Sequence, residues 1–447
     1  MSKGITLIVA AILAIATLGG VGYYLAMNSD DNKLDIEGDV PIFGNANGDA
    51  YIDGDDISTL ESIIRDGWDK DENPLADANQ DGKIDDDDIA IVKRIIAKEK
   101  TSIFYIDGVN EVSKCDFPLL DRKIALSSWQ QADLVAILGL WDDVVGAYRG
   151  VVDSKSHYFP NTSSVYDFGT ALDSEEELLA CGADLIIASQ GKKAEYNGYI
   201  AGNPSLNIQA LYFNIFEESC VSTALTLGVL TCTSERAHEY AEYAQTLKNK
   251  IEDRISTLDD SQLSKVVVTL MYENQSTRAN IVLECPGSGA GNMMSKIAKV
   301  YDSSAKAASS GRLNVDEEWF LAHDGTDYEF IIIQQEGTDV KKVDNTYFTP
   351  KMYNDRFEDA VEFYKDTTAY DEGKILGTTF SYSTYTGYAH LMYVAWMLYP
   401  DLFSEDEAWD ALQEFYDEFT TADIDVRTQG GWCYTGTGYE AYSERLT

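Results

Sequence analysis

The chain is short of positive charge. Its 34 Lys and Arg face 76 Asp and Glu, a net charge of −42 over 447 residues. Phosphate backbones are gripped by clustered basic side chains. No such cluster occurs, which excludes nucleic acid as a partner. Histidine is scarcer still, with only His157, His238, His323 and His390. A cleft that captures bare zinc or manganese draws on several imidazoles, so direct capture of such an ion is not expected. The six cysteines run from Cys115 to Cys433, too dispersed for a close-spaced metal motif or a dense disulfide framework. Cys220 and Cys232 are the closest pair in sequence, and pairing stays open. No Gly-x-Ser-x-Gly nucleophile motif is present. The glycines around Ser288 (Gly287, Gly289, Gly291) lead to no Gly-Lys-Ser/Thr ending, so they read as a flexible turn rather than a phosphate loop.

What is abundant is acidic oxygen, and two stretches arrange it with a period. The first carries Asn45, Asn47, Asp49, Tyr51, Asp53 and Asp56; the second carries Asp77, Asn79, Asp81, Lys83, Asp85 and Asp88. The second begins 32 positions after the first (77 − 45). Each places side-chain oxygens at loop positions 1, 3, 5, 9 and 12, the spacing by which one loop wraps Ca2+ with six to eight ligands at roughly 2.3–2.6 Å. Position 7 contributes a backbone carbonyl, so Tyr51 and Lys83 are acceptable there. Position 8 is Ile52 or Ile84. A helix-like run follows each loop, with Ile57, Leu60, Ile63 and Ile64 after the first and Ile89, Val92, Ile95 and Ile96 after the second. Two Ca2+ sites are expected.

No entering helix precedes either loop. Loop-then-helix, duplicated, with Asp at position 12, resembles a type I dockerin over about residues 36–100. The resemblance implies calcium-dependent folding and a cohesin-domain partner. Ala50 departs from the pattern, because position 6 normally holds the glycine that permits a sharp turn; a strained, weaker first site is expected. Gly54-Asp55 and Asp86-Asp87, at positions 10 and 11, differ between repeats and do not reveal the partner.

Residues 5–27 are apolar or small and uncharged. As a helix they would span roughly 34 Å, enough for a hydrocarbon core of about 30 Å. The run is longer than a signal peptide's core and lacks a small-residue cleavage pattern, which favours an uncleaved anchor over a signal peptide. Lys3 before it and Asp30 and Asp31 after it place the bulk outside the cell. The strong acidity suits that setting.

Beyond Lys100, short apolar runs alternate with helical stretches. Strands are expected at 123–126, 144–147, 184–188, 265–270, 329–333 and 374–377. Residues 234–257 contain neither glycine nor proline and carry Ala237, Tyr240, Ala241, Ala244, Leu247 and Ile251 on one stripe. They predict one stiff helix of about 36 Å between two groups of strands. Local order narrows the choice. Leu138-Gly139 precedes Asp142, Asp143 and Val144-Val145-Gly146. Ser174, Glu176, Leu178, Leu179 and Ala180 precede Ala183-Asp184-Leu185-Ile186-Ile187. Tyr399-Pro400 opens a late segment ending at Phe403.

This order resembles the helix-linked substrate-binding proteins of ABC importers, the class that takes iron–siderophore complexes, haem and cobalamin, over about residues 101–447. The fold expected is α/β: two Rossmann-like lobes joined by a long rigid helix, preceded by a small all-α calcium module and an N-terminal transmembrane helix. The boundaries expected are 1–30 for the anchor, 36–100 for the module, 101–232 and 260–447 for the lobes, and 233–259 for the helix. The resemblance implies a metal-chelate ligand, an importer permease as partner, and a cell-surface location.

Ligands of open α/β sheets lie at the carboxyl ends of the strands. That places Ser128, Trp129, Tyr148, Arg149, Ser189 and Gln190 from the first lobe, and Gly287, Ser288, Asn292, Gln334, Tyr382 and Trp432 from the second, around one cleft. Trp129, Tyr382 and Trp432 offer flat faces in polar loops, which suit a large planar or chelated ligand. No enzymatic activity is expected. Two other readings stay open: a dockerin-tethered polysaccharide-active enzyme, for which Glu273, Glu284 and Glu336 are available near strand ends, and a cell-surface structural or adhesion module.

Overall fold

The computed structural model of the chain describes residues 36–435, apart from 129, 155–158, 160, 170–171, 173, 215–218, 272–280, 303–310, 336–341, 344–345, 348–356, 358–359, 380–384 and 431–432. The expected anchor at 5–27 lies outside the described residues. Among those residues, no helix is long and apolar enough to cross a membrane.

Two helices follow the acidic loops, α1 (Gly54–Asp66) and α2 (Asp86–Ile96). Each begins on the loop itself. Asp53 and Asp85 are N-caps accepting from backbone N–H groups, and Asp56 and Asp88 complete capping boxes from the third helical position. The apolar stripes of the two helices meet in a small core of Ile57, Leu60, Ile63, Ile89, Val92 and Ile96. Residues 36–44 run as an extended strap. They join the hairpin of β1 (Thr101–Ile106) and β2 (Val112–Phe117), with Phe43 N–H donating to the Phe104 carbonyl and Ile106 N–H to that of Pro41. Val40 and Ile42 of the strap belong to the main core.

The first lobe is a sheet ordered β5-β4-β3-β6-β7, every pairing parallel. Its elements in chain order are β3 (Ile124–Leu126), α3 (Gln130–Ile137), β4 (Val144–Ala147), β5 (Tyr166–Asp167), α4 (Glu175–Cys181), β6 (Leu185–Ser189), α5 (Lys193–Gly202), β7 (Gln209–Phe213) and α6 (Ser219–Leu230). β6 is buried along four of its five residues, as parallel strands covered on both faces are. Cys220 opens α6 and Cys232 lies past its end, separated by about 18 Å of helix, so they do not bridge one another.

The connecting helix α7 (Ser234–Ile255) has 22 residues, close to the predicted bounds. Gly228 of α6 sits so near it that a Cβ there would lie 2.6 Å from the Ala237 Cβ. Glycine is what allows that approach. The second lobe starts with β8 (Lys265–Met271), β9 (Ile281–Glu284), α8 (Gly289–Met294), β10 (Lys299–Val300), β11 (Arg312–Val315), α9 (Glu317–His323) and β12 (Phe330–Gln335). A two-stranded pair, β13 (Lys342–Val343) and β14 (Thr346–Tyr347), follows. The lobe ends with α10 (Thr368–Asp371), β15 (Ile375–Thr379), α11 (Gly387–Leu398), α12 (Glu405–Phe419) and β16 (Cys433–Thr435). Its sheet is mixed: β8, β12 and β15 are parallel and β10 runs parallel beside β8, while β9 lies antiparallel between β8 and β11, and β16 pairs antiparallel with β15. One apolar core runs from the strap through the first lobe and α7 into α11 and α12.

Candidate functional site

In the first lobe the expected residues gather at one edge. Ser127 and Ser128 follow β3, Tyr148 and Arg149 follow β4, Ser189 and Gln190 close β6, and Asn214 follows β7. Ser128 donates its N–H and its hydroxyl to the Gln131 Oε1, each at 2.6 Å. The Ser189 N–H reaches the Ser127 Oγ at 3.3 Å, and the Gln190 Nε2 meets the Asn214 Oδ1 at 3.4 Å. Hydroxyl and amide groups therefore gather at this edge in three hydrogen-bonded pairs. Arg149 is exposed, and its Nε donates to Asp167 at 2.9 Å. Burial pushes the Asp167 carboxyl up, but the Arg149 guanidinium and the Gly169 amide outweigh it and hold the group below the usual carboxylate range. Trp129 lies outside the described residues.

Sequence reasoning missed Gln131 and Asn214. The signal for Gln131 was present: Gln130, Gln131 and Asp133 are polar residues on a helix that is otherwise apolar, and all three are buried. Most buried polar groups are hydrogen-bonded, and the Gln131 Oε1 takes both Ser128 donors.

In the second lobe, β8, β12 and β15 end level, with Gln335 opposite both Met271 and Thr379. The loops that continue them lie largely outside the described residues, and so do Tyr382 and Trp432. Gln334, expected at the cleft, is wholly buried within β12. Gly287, Ser288 and Asn292 are not at this edge. β9 runs antiparallel to β8, with Leu283 opposite Thr269, so the chain after β9 emerges beside the start of β8. Ser288 there caps α8, accepting from Gly291 N–H at 3.0 Å and donating to the Cys285 carbonyl at 2.9 Å, while the Asn292 Oδ1 accepts from Gly287 N–H. These three residues build a turn at the far end of the sheet. Glu284 is buried and paired with Arg312 at 2.8 Å in the same region. Glu273 and Glu336 lie outside the described residues.

The two acidic loops differ in detail. In the second, Asp77 accepts from the N–H groups of Asp81 and Gly82, Asn79 from Asp81, Asp81 from Lys83, and Asp88 from Asn79 and Asp85. The side-chain oxygens thus turn toward the loop's own interior. Gly82, at position 6, takes φ +86 with open space around it. In the first loop Ala50 stays out of the left-handed region; Gly48, at position 4, has φ +73. The strain expected at Ala50 is thereby avoided. Its methyl is buried in the main core and its carbonyl accepts from the His238 Nε2 at 2.9 Å. Asn45 donates to the Val40 and Asp49 carbonyls, and Asn47 to Asp49.

Asp56 is completely buried. Burial pushes its carboxyl up to about 7, with Asp49 and Asp53 adding and the Asp53 and Asn47 amides opposing. Burial also raises Asp88. Among the described residues, no three His, Cys, Asp or Glu side chains converge to hold a metal by themselves. The donor set of each loop is wider than that, because it counts asparagine amides and a backbone carbonyl at position 7. Hard oxygens with two deeply buried carboxylates among acidic neighbours fit a divalent cation such as Ca2+.

No family model and no curated protein matches the chain. Solved structures do. The chain is similar to a TroA-like periplasmic binding protein, FepB, from Veillonella parvula, with a TM-score of 0.56 and 16% identity, covering 74% of this chain and 99% of that one. An ABC transporter solute binding protein from Sulfurospirillum deleyianum gives 0.54 and 16%, covering 72% and 95%. Helicobacter pylori CeuE, as a Ni-His complex, gives 0.52 and 13%, covering 73% and 96%. At these identities the likeness is one of fold: this chain shares the α/β architecture of TroA-like and solute-binding proteins.

Proposed function

We propose that the chain is the extracellular substrate-binding protein of an ABC importer, taking a metal chelate between its two lobes. The observation that carries this reading is the union of two α/β lobes by one 22-residue helix, in a fold similar to a solute binding protein of an ABC transporter. A stiff helix limits the lobes to a small hinge movement around the ligand. Scarce imidazole favours an ion that brings its own ligands, as in an iron–siderophore, haem or corrinoid. Ser128, Tyr148, Arg149, Ser189 and Gln190 are assigned to the first lobe's wall, with Trp129, Tyr382 and Trp432 as aromatic contacts. The proposed boundaries are 101–232 and 260–447 for the lobes, with 233–259 between them.

Residues 36–100 are proposed as a dockerin-like module whose two loops hold Ca2+ through Asn45, Asn47, Asp49, Tyr51, Asp53 and Asp56, and through Asp77, Asn79, Asp81, Lys83, Asp85 and Asp88. A bound Ca2+ would supply the positive charge that the buried Asp56 and Asp88 lack nearby. The module would dock to a cohesin-bearing partner, and residues 1–30 would tether the chain to the membrane with its bulk outside.

The test presents the purified chain with ferric chelates, haem and corrinoids, and in parallel with a polysaccharide panel. Tight binding of a coloured chelate without turnover is expected. Polysaccharide cleavage, or no chelate bound at micromolar concentration, rejects the transport reading. A calcium titration followed by circular dichroism tests the module separately, and an unchanged spectrum rejects it.

A further inference from the structure

The two acidic loops share a pattern but not a setting. Lys83, at position 7 of the second loop, is exposed, and Gly82 beside it has nothing within 4 Å of where a side chain would start. The first loop instead leans on the connecting helix. The ring of Tyr51, at position 7, stacks on the His238 ring with centroids 4.1 Å apart and planes 27° apart. One residue earlier, the Ala50 carbonyl accepts from the same imidazole at 2.9 Å. His238 lies in the first turns of α7. Two residues on, and so on the other side of the helix, the Tyr240 hydroxyl donates to the Tyr385 carbonyl just before α11. One turn of α7 is held from both sides, by the calcium loop and by the second lobe.

We infer that the first loop is an intramolecular latch: Ca2+ bound there and the placement of α7 are coupled through Tyr51 and His238, while the second loop binds its ion independently. The inference rests on the reading that these loops hold calcium. The physical link is the Tyr51 backbone. By spacing, the cation takes the Tyr51 carbonyl, which fixes that residue's φ and ψ. The same two angles set the direction in which its side chain leaves the backbone, and the ring it carries lies on His238. Filling the loop and gripping the helix are therefore one conformational event. The grip is also local. A cleft of about 530 Å³, lined by Tyr51, Asp53, Lys98, Glu235, His238 and Glu242 among others, opens beside the contact. Coupling between two sites is reciprocal, so closure of the lobes on a ligand would change calcium affinity at the first loop and leave the second loop unaffected.

The experiment uses the full chain. Calcium is titrated calorimetrically into wild type, Tyr51→Leu and His238→Gln, and hydrogen exchange is followed over residues 236–246 with and without calcium. Tyr51→Leu keeps the backbone carbonyl, and His238→Gln keeps a side-chain N–H, so both are expected to fold. The expected result is two sites in wild type, one of which weakens about fivefold or more in either variant, on the usual scale of coupling. Exchange in α7 slows with calcium in wild type and in Asp81→Asn, but not in Asp49→Asn. Two calcium sites whose affinities are unaltered in both variants, with α7 exchange indifferent to calcium, would overturn the latch and leave the calcium reading intact. Absence of any calcium binding by wild type would overturn both.

Discussion

The Tyr240 hydroxyl donates to the Tyr385 backbone carbonyl at 2.9 Å, joining the connecting helix to the second lobe inside a fully buried setting. Tyr240→Phe removes the donor and leaves a buried carbonyl without its hydrogen bond. Such a change costs about 1–3 kcal/mol. A urea titration should show a lower midpoint with an unchanged slope. An unchanged midpoint would mean that the carbonyl finds another donor.

Arg254 holds Glu407 with both terminal nitrogens, at 2.9 and 2.8 Å, and Lys250 joins at 2.8 Å. The Arg254 hydrogen bonds, helped by Lys250 and the Ser404 amide against burial, hold the Glu407 carboxyl well below the usual range. A depressed carboxylate stabilises the fold above its unfolded value, here 4.5, and that stability fades as pH falls toward the folded value. Glu407→Gln retains the capping-box geometry with Ser404 while losing the charge. It should lose about 0.5–1 kcal/mol at pH 7, the upper range for partly exposed pairs. Chemical denaturation at several pH values should show the difference from wild type shrinking below pH 4.5.

Gly228→Ala should destabilise the chain although alanine is the better helix former. Propensity favours Ala by about 1 kcal/mol, but the new methyl would meet the Ala237 methyl at 2.6 Å. Overpacking of this kind costs about 1–3 kcal/mol. Adding Ala237→Gly should recover most of the loss in a double-mutant cycle; no recovery would place the strain elsewhere.

Arg149 stands at the rim of the first lobe with its guanidinium on Asp167. If a chelate carrying acidic groups sits there, Arg149→Ala should weaken its binding about tenfold, equivalent to about 1.4 kcal/mol. Fluorescence quenching during a titration reads this directly. Equal affinity in the variant would remove Arg149 from the ligand's wall.

Much of the frame was legible because it is written locally. The β-branched runs at Val266, Val267 and Val268, and at Ile331, Ile332 and Ile333, are the central strands β8 and β12. The uninterrupted stripe from Ala237 to Ile251 is α7. The Asp53 and Asp85 positions mark helix starts as well as loop oxygens. Strand direction is not local. Ile281–Glu284 is a four-residue apolar run that reads the same either way, and only its pairing with β8 and β11 reveals that it runs backward and carries Ser288 to the far end. Contacts such as Ile42 with Tyr105 or Ala50 with His238 join distant parts of the chain, and no periodicity announces them. Ala50 departs from the glycine expected at position 6 of its loop, and the His238 side chain that engages its carbonyl lies 188 positions away.

The level ending of β8, β12 and β15 has an architectural consequence. The three strand ends form one straight sill, each held by the ladder bonds of its own strand, so a change at the tip of one leaves the footing of its neighbours in place.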